Sequence, residues 1–392
     1  MNSPQPASIS EAAPARGLPP APAAASSLLL QRPTTKIRIE GLDVLRLFAA
    51  LAVVLFHYAF RGAAAEGFTR VSIPALAAIA KYGYLGVDCF FVISGFVIAW
   101  SAEGRTWRQF SVARFARIYP AFVVCMTATF AASLLFGGPR FETSFSQWAA
   151  NLLVISPAVG VPFMDGAYWS IAYEIVFYGW MALFIAGGLF PGRARPLLAA
   201  WLVLSVLNEA ALGSNVLRRL FVTDHSGFFA VGVLLYLMRK GGRGAMEWLL
   251  FGLGSLVAVY QAFVVAERMN ICYKAALSNT ILAICALGAI AIVAAASGVR
   301  DLKVRAGVVA AIGGLTYPLY LLHQHAGYVL FNCLEGLLPA PVIVGLTVAT
   351  MLVAAWGVWR FVEPPCRRWI YRLASAARVQ TPSLGSAKTP EA

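Results

Sequence analysis

Arg46 and His57 stand eleven residues apart in the otherwise apolar run DVLRLFAALAVVLFHY. Eleven helical steps bring the second side chain to within about 20° of the first and about 16 Å further along the axis. A guanidinium binds phosphate or carboxylate through its planar fork, and an imidazole takes a proton near neutral pH. One helix face therefore offers an anion-binding group at one end and a general base at the other. Asp43, three residues before Arg46, lies near the same face. Ionisable residues inside apolar segments are costly to keep there and mark function by default.

Other apolar segments carry the same kind of signal. Asp88 opens GYLGVDCFFVISGF, and Trp169, Ser170, Tyr173 and Glu174 cluster in YWSIAYEIVFY. Asp224 and His225 precede a further apolar run, and His323 ends TYPLYLLH. Arg114 and Arg117 sit in RFARIYP, where Pro120 suits a helix's first turn. Each has a plainer reading. A membrane histidine often packs through a hydrogen bond, Arg-x-x-Arg often records topology, and a carboxylate often joins an ion pair. The small and aromatic residues at 91–96 suit close helix contact, and Pro318 suits a kink. For His57, sharing a face with an intramembrane arginine favours chemistry.

The elements that must position these residues follow from composition. Of 392 residues, 60% are hydrophobic and 12% charged, far from the balance of a soluble domain. The apolar residues fall in blocks long enough to cross a bilayer. The expected spans are 43–60, 84–100, 118–136, 168–190, 196–212, 220–238, 246–266, 277–297, 307–332 and 341–363. Residues 145–157 are too short to span and suit an interfacial or re-entrant helix. The fold class is all-α: a polytopic membrane protein with about ten transmembrane helices in one bundle. Residues 1–39, rich in Ala, Pro and Ser, read as a disordered cytoplasmic tail. The membrane body occupies 40–372, and 373–392 reads as a second disordered tail.

A formal net charge of +14 would suggest nucleic acid in a soluble chain, but here the basic residues sit between apolar blocks. Most of the 31 Lys and Arg fall on the side of the N-terminus, which places both termini in the cytoplasm of a multi-pass plasma-membrane protein. No nucleic-acid partner is expected. The six cysteines form no Cys-x-x-Cys pair and read as packing residues, with no metal site and no permanently bound cofactor.

Taken together, the motifs resemble those of the integral-membrane acyltransferase-3 family, over about residues 37–370. IEGLDVLRLFAALAVVLFHY is similar to the family's opening segment, with its arginine and histidine at Arg46 and His57. GVDCFFVISGF, RFARIYP, WSIAYEIVFY, TYPLYLLH and FVEPPCRR resemble its later motifs, in order. Ala113 departs from the basic residue that many relatives carry there. The resemblance implies a bacterial inner-membrane O-acyltransferase with a cytoplasmic acyl-CoA donor, acetyl-CoA being the expected one. The acceptor would be a carbohydrate or lipid-linked glycan on the other side. It also implies His57 as base and the arginines as donor ligands. The hydrolase-like domain of some relatives is not expected here, and an oligomer is compatible with the sequence.

The expected mechanism follows. Arg46, Arg114 and Arg117 would hold CoA phosphates. A pantetheine arm threaded through the bundle would bring the thioester to His57, which would deprotonate the acceptor hydroxyl. Asp88 or Glu174 would orient the imidazole. Asp43, Trp169, Ser170, Tyr173 and His323 would support the site. The rival class is a transporter or flippase that uses the same buried charges as a proton and substrate path.

Overall fold

The computed structural model describes residues 39–379. The tail expected over 1–39 lies outside the described residues except for Ile39, and so do residues 380–392. Helix follows helix, with no strand among the described residues.

Helix α1 (Glu40–Phe56) begins with Glu40 and Asp43 in its first turn, where carboxylates complement the positive end of the helix dipole. It continues without a break into a π-helical segment, His57–Ala65. After the short α2 (Pro74–Ala80), a 3-10 turn leads into α3 (Gly86–Ala102). Thr106 and Gln109 form a reciprocal capping box at the start of α4 (Trp107–Phe136). The 30 residues of α4 reach about 45 Å, well beyond a hydrocarbon core of ~30 Å. The helix thus starts eleven residues before the expected boundary at 118. Pro120 consequently lies inside α4, not in its first turn.

The expected interfacial segment is helix α5 (Phe145–Asn151), capped by Ser144. Then come α6 (Tyr168–Ala186) and α7 (Ala194–Leu207), which is extended by a π-helical segment to Leu212. Next are α8 (Asn215–Phe221), α9 (Ser226–Arg239), α10 (Ala245–Tyr273) and α11 (Asn279–Ala296). The expected ninth span, 307–332, is broken at His323–Gln324 into α12 (Ala306–Leu322) and α13 (His325–Leu334). Helix α14 (Ala340–Gly357) passes through a π-helical segment, Val358–Val362, into α15 (Glu363–Val379). Helix α15 therefore extends beyond residue 372, where a disordered tail was expected to begin.

Among the described residues, nine helical stretches are long and apolar enough to cross a membrane, and Gly307–Leu322 is a shorter tenth. This is an all-α, multi-pass membrane protein. Helices α3 and α9 are the most enclosed, while α7, α11 and α14 turn Val203, Ile284 and Val353 outward. Uniformly apolar exteriors of this kind suit lipid. The α3–α9 contact depends on Gly95 and Gly232. A Cβ on Gly95 would run into the Phe229 carbonyl, and one on Gly232 into the Val92 carbonyl. Only hydrogen at these positions lets the two backbones approach so closely. That contact sets the register of Asp88 on α3 against His225 at the head of α9.

Candidate active site

The ionisable residues expected to form one site resolve into three groups, the first two centred on buried histidines and the third half-buried. The first surrounds His57, at the point where α1 changes to π geometry. His57 Nδ1 lies 2.8 Å from the Val53 carbonyl oxygen and 3.0 Å from Nε2 of His323. His323 Nδ1 lies 2.7 Å from the Tyr320 carbonyl oxygen. A carbonyl only accepts, so both Nδ1 atoms carry hydrogen when the rings are neutral. His323 Nε2 is then an acceptor, and the His57 Nδ1 proton is shared between it and Val53. This leaves the lone pair of His57 on Nε2. The polar group that meets Nε2 is Arg61 Nη1, 3.5 Å away.

The backbone around the pair is tied down by tyrosines. Tyr58 donates to the His323 carbonyl (2.6 Å) and Tyr328 to the His57 carbonyl (3.0 Å). Both carbonyls lie where regular α-helical bonding is interrupted, which is why they need side-chain donors. Ser170 reaches this group from α6: its hydroxyl lies 2.7 Å from that of Tyr320, whose ring is 5.4 Å from His323. Gln324, at the break itself, is fully buried, and neither of its amide atoms has a hydrogen-bond partner among the described residues. A cavity of about 90 Å³ opens nearby between Phe68, Arg140, Phe141, Gln147, Phe163 and His325. The Phe68 and Phe141 rings pack against Tyr328.

The second group holds Asp88. It does not orient His57, as expected from sequence, but accepts from His225 Nδ1 at 3.0 Å. Trp169 and Tyr173 lie against the His225 ring, at 5.3 and 5.9 Å between centroids. The Tyr173 hydroxyl donates to Asp224 (3.3 Å), which with Glu209 also pairs with Arg218 and Arg268.

The third group holds Glu174, which is likewise not at His57. One oxygen of Glu174 accepts from the hydroxyls of Ser94 and Tyr178. Arg46 pairs with Asp43 at 3.3 Å and lies within electrostatic reach of Glu174, Tyr178 and Arg117. Arg114 places its guanidinium 6.0 Å from the Phe110 and Tyr178 rings, and its buried Nε has no hydrogen-bond partner among the described residues. Arg117 is joined to Glu363 at 2.9 Å. The three expected donor arginines are therefore gathered around Glu174, but Arg46 and Arg117 are already paired with Asp43 and Glu363.

Helix periodicity explains how one motif serves three groups. Ser170 and Glu174, four residues apart, lie on one face of α6, which meets Tyr320 above and Ser94 below. Trp169 and Tyr173 share the adjacent face and meet His225. Sequence reasoning missed Arg61, Glu66, Tyr58, Tyr320 and Gln324. The spacing of Arg61, one turn after His57, was a usable signal. Its pairing with Glu66 was not, because it depends on the π-helical segment.

Comparison with known proteins gives a consistent picture. The family profile described as an acyltransferase domain matches residues 39–359. A putative peptidoglycan O-acetyltransferase of Bacillus subtilis is 29% identical over 195 residues, covering 45% of this chain and 28% of that protein. An acyltransferase of Streptomyces mycarofaciens is 32% identical over 158 residues, covering 37% of this chain and 39% of the relative. An O-acetyltransferase of Staphylococcus aureus is 24% identical over 369 residues, covering 84% of this chain and 57% of the relative. The match thus spans between about a quarter and somewhat over half of the length of these curated relatives. No solved structure matches the chain.

Proposed function

The chain belongs to the acyltransferase-3 family, and we propose that it moves an acyl group, acetyl in the first instance, from cytoplasmic acyl-CoA to a hydroxyl of an extracytoplasmic carbohydrate. The printed names of two relatives, both O-acetyltransferases and one of peptidoglycan, support the acyl group and the saccharide class. The bacterial plasma membrane, with both termini in the cytoplasm, is part of the same reading and rests on the excess of basic residues at the end where α1 begins.

The observation that carries the reading is the hydrogen bonding of His57. Its Nδ1 is committed to Val53 and His323, so its free lone pair is on Nε2, as a general base requires. His323 takes the orienting role that sequence reasoning gave to Asp88 or Glu174. The arginine group lies about 16 Å along α1 from His57. Phosphates of CoA would bind Arg114, with Arg46 and Arg117 contributing as they leave Asp43 and Glu363. The pantetheine arm would then extend between the two groups, past Ser170 and Tyr320. The acceptor would approach from the opposite end, where the cavity beside Tyr328 offers aromatic rings and the polar groups of Arg140, Gln147 and His325. That mix suits a sugar, whose C–H faces pack on rings while its hydroxyls hydrogen-bond.

Deleting the gene and measuring alkali-labile acetyl esters on surface glycans and their lipid-linked precursors tests the proposal. Esters should disappear and return with the wild-type gene but not with the His57→Gln variant. Unchanged esters in the deletion strain, together with no binding of acetyl-CoA by the purified protein, would move the reading to a transporter.

A further inference from the structure

Among the described residues one charged group faces the base nitrogen assigned above, and it lies just outside the motif that ends at Tyr58. Arg61 Nη1 stands 3.5 Å from His57 Nε2, too far for a strong hydrogen bond but close enough for one substrate group to touch both. The rest of the guanidinium is fixed. Nε and Nη2 donate to the two oxygens of Glu66 at 2.8 Å each. Tyr273 lies under the guanidinium at 5.4 Å and donates its hydroxyl to Glu66 at 3.0 Å. Both members of the ion pair are mostly buried. The fork is therefore held on one side by a carboxylate, and its remaining amino group is aimed at the proton-accepting side of His57.

We infer that Arg61 is a further catalytic residue: Nη1 donates to the oxyanion formed when the acceptor attacks the acyl group. The role rests on the reading of His57 as the base. In the step, the acceptor hydroxyl oxygen bonds to the thioester carbonyl carbon, and its proton passes to His57 Nε2. The carbonyl π pair moves onto oxygen. That oxygen shares a tetrahedral carbon with the attacking oxygen, so it lies within the same few ångströms of Nε2, where Arg61 Nη1 stands. Collapse re-forms the carbonyl, the C–S bond breaks with its pair on sulfur, and the proton on His57 passes to the thiolate, giving ester and free thiol.

The charges balance at each stage. Before attack, Arg61 and Glu66 cancel and His57 is neutral. In the tetrahedral intermediate the new imidazolium and the new oxyanion cancel, with the guanidinium beside both. An arginine this close to a base would oppose its protonation if no anion formed between them. The arrangement therefore favours proton transfer specifically when the oxyanion is present, which is what stabilising a transition state over a ground state requires.

The π-helical segment places the group. Arg61 follows His57 by four residues within His57–Ala65, and the amide of Glu66 closes back on the Arg61 carbonyl at 2.9 Å. This wider turn lets Glu66 fold back onto the guanidinium while Nη1 stays beside His57. Such segments are rare and recur at functional sites.

The test uses the full-length protein in native membranes and reads release of CoA thiol from acetyl-CoA, beside wild type, His57→Gln and the exposed-arginine control Arg70→Met. Arg61→Met should lower kcat about a hundred- to a thousand-fold, the usual loss for an oxyanion donor. KM for acetyl-CoA should stay within about twofold, because the donor's phosphates bind elsewhere. Arg61→Lys should lie between, and added guanidinium should restore part of the activity of Arg61→Ala. Arg61→Met with kcat within about threefold of wild type, while His57→Gln is inactive, overturns the role of Arg61 and leaves the proposed function standing. No thiol release by wild type removes both. If Arg61→Met fails to fold by thermal melting, Arg61→Lys decides: a folded lysine variant with full kcat overturns the inference, and one with a selective kcat loss supports it.

Discussion

Two buried histidines divide the molecule's polar interior. Both His57 and His225 use Nδ1 in a hydrogen bond of 3.0 Å, and both are almost completely shielded from solvent. Their partners differ. His225 faces the carboxylate of Asp88, beside an extended network of Asp224, Glu209, Arg218 and Arg268 that ties the π-helical end of α7, α8 and α10 together. His57 faces a second imidazole and a carbonyl, with one guanidinium near its other nitrogen. A carboxylate–imidazole pair inside a charge network suits a fixed fastening. A histidine without a carboxylate partner, but with a lone pair open to a reactant, suits turnover. On the proposed function, a buried acid beside a histidine therefore does not mark the base.

Substitutions at the two histidine groups should separate these roles. The largest effect is expected at His57. His57→Gln should lower acyl transfer about a hundred- to ten-thousand-fold, as loss of a general base does, while equilibrium binding of acyl-CoA is retained. Near-normal transfer by this variant would shift the base to His225 and invert the comparison.

Next in size is Asp88→Ala. Leaving the buried His225 Nδ1–H without its acceptor should cost about 1–3 kcal/mol of stability, read as a lowered thermal midpoint in detergent. The protein that remains folded should keep most of its specific activity. A stable but inactive variant would make Asp88 a member of the catalytic group after all.

His323→Ala should slow transfer about ten- to a hundred-fold, less than loss of His57, because the Val53 carbonyl still accepts the His57 Nδ1 proton. Measured kcat equal to wild type would show that the second imidazole only packs. The smallest change concerns the donor end. Arg114→Ala should weaken acyl-CoA binding about tenfold, the worth of one charge-assisted hydrogen bond. Glu363→Gln should leave that affinity unchanged or raise it, since it frees Arg117. Calorimetric titration of both variants checks this, and equal affinity for wild type and Arg114→Ala would reduce Arg114 to a topology signal.

Much of this molecule could be read along the chain. Composition and block length gave a multi-pass helical membrane protein, because only segments of that length and polarity lie stably in hydrocarbon with their backbone bonds closed. Relations within one helix were also legible: the spacing of Ser170 and Glu174 puts them on one face wherever the helix packs. The pairings between helices were not. His57 meets His323 across 266 residues, Asp88 meets His225 across 137, and Arg117 meets Glu363 across 246. A soluble helix announces its inward face by its polar stripe. These helices are apolar on nearly every side, so their sequences carry little information about rotation. Only the packed structure decides it, through the Gly95–Gly232 contact, the π-helical segment at His57 and the break at His323. Those features set which side chains meet, and so placed His57 beside His323 and Arg61 but His225 beside Asp88.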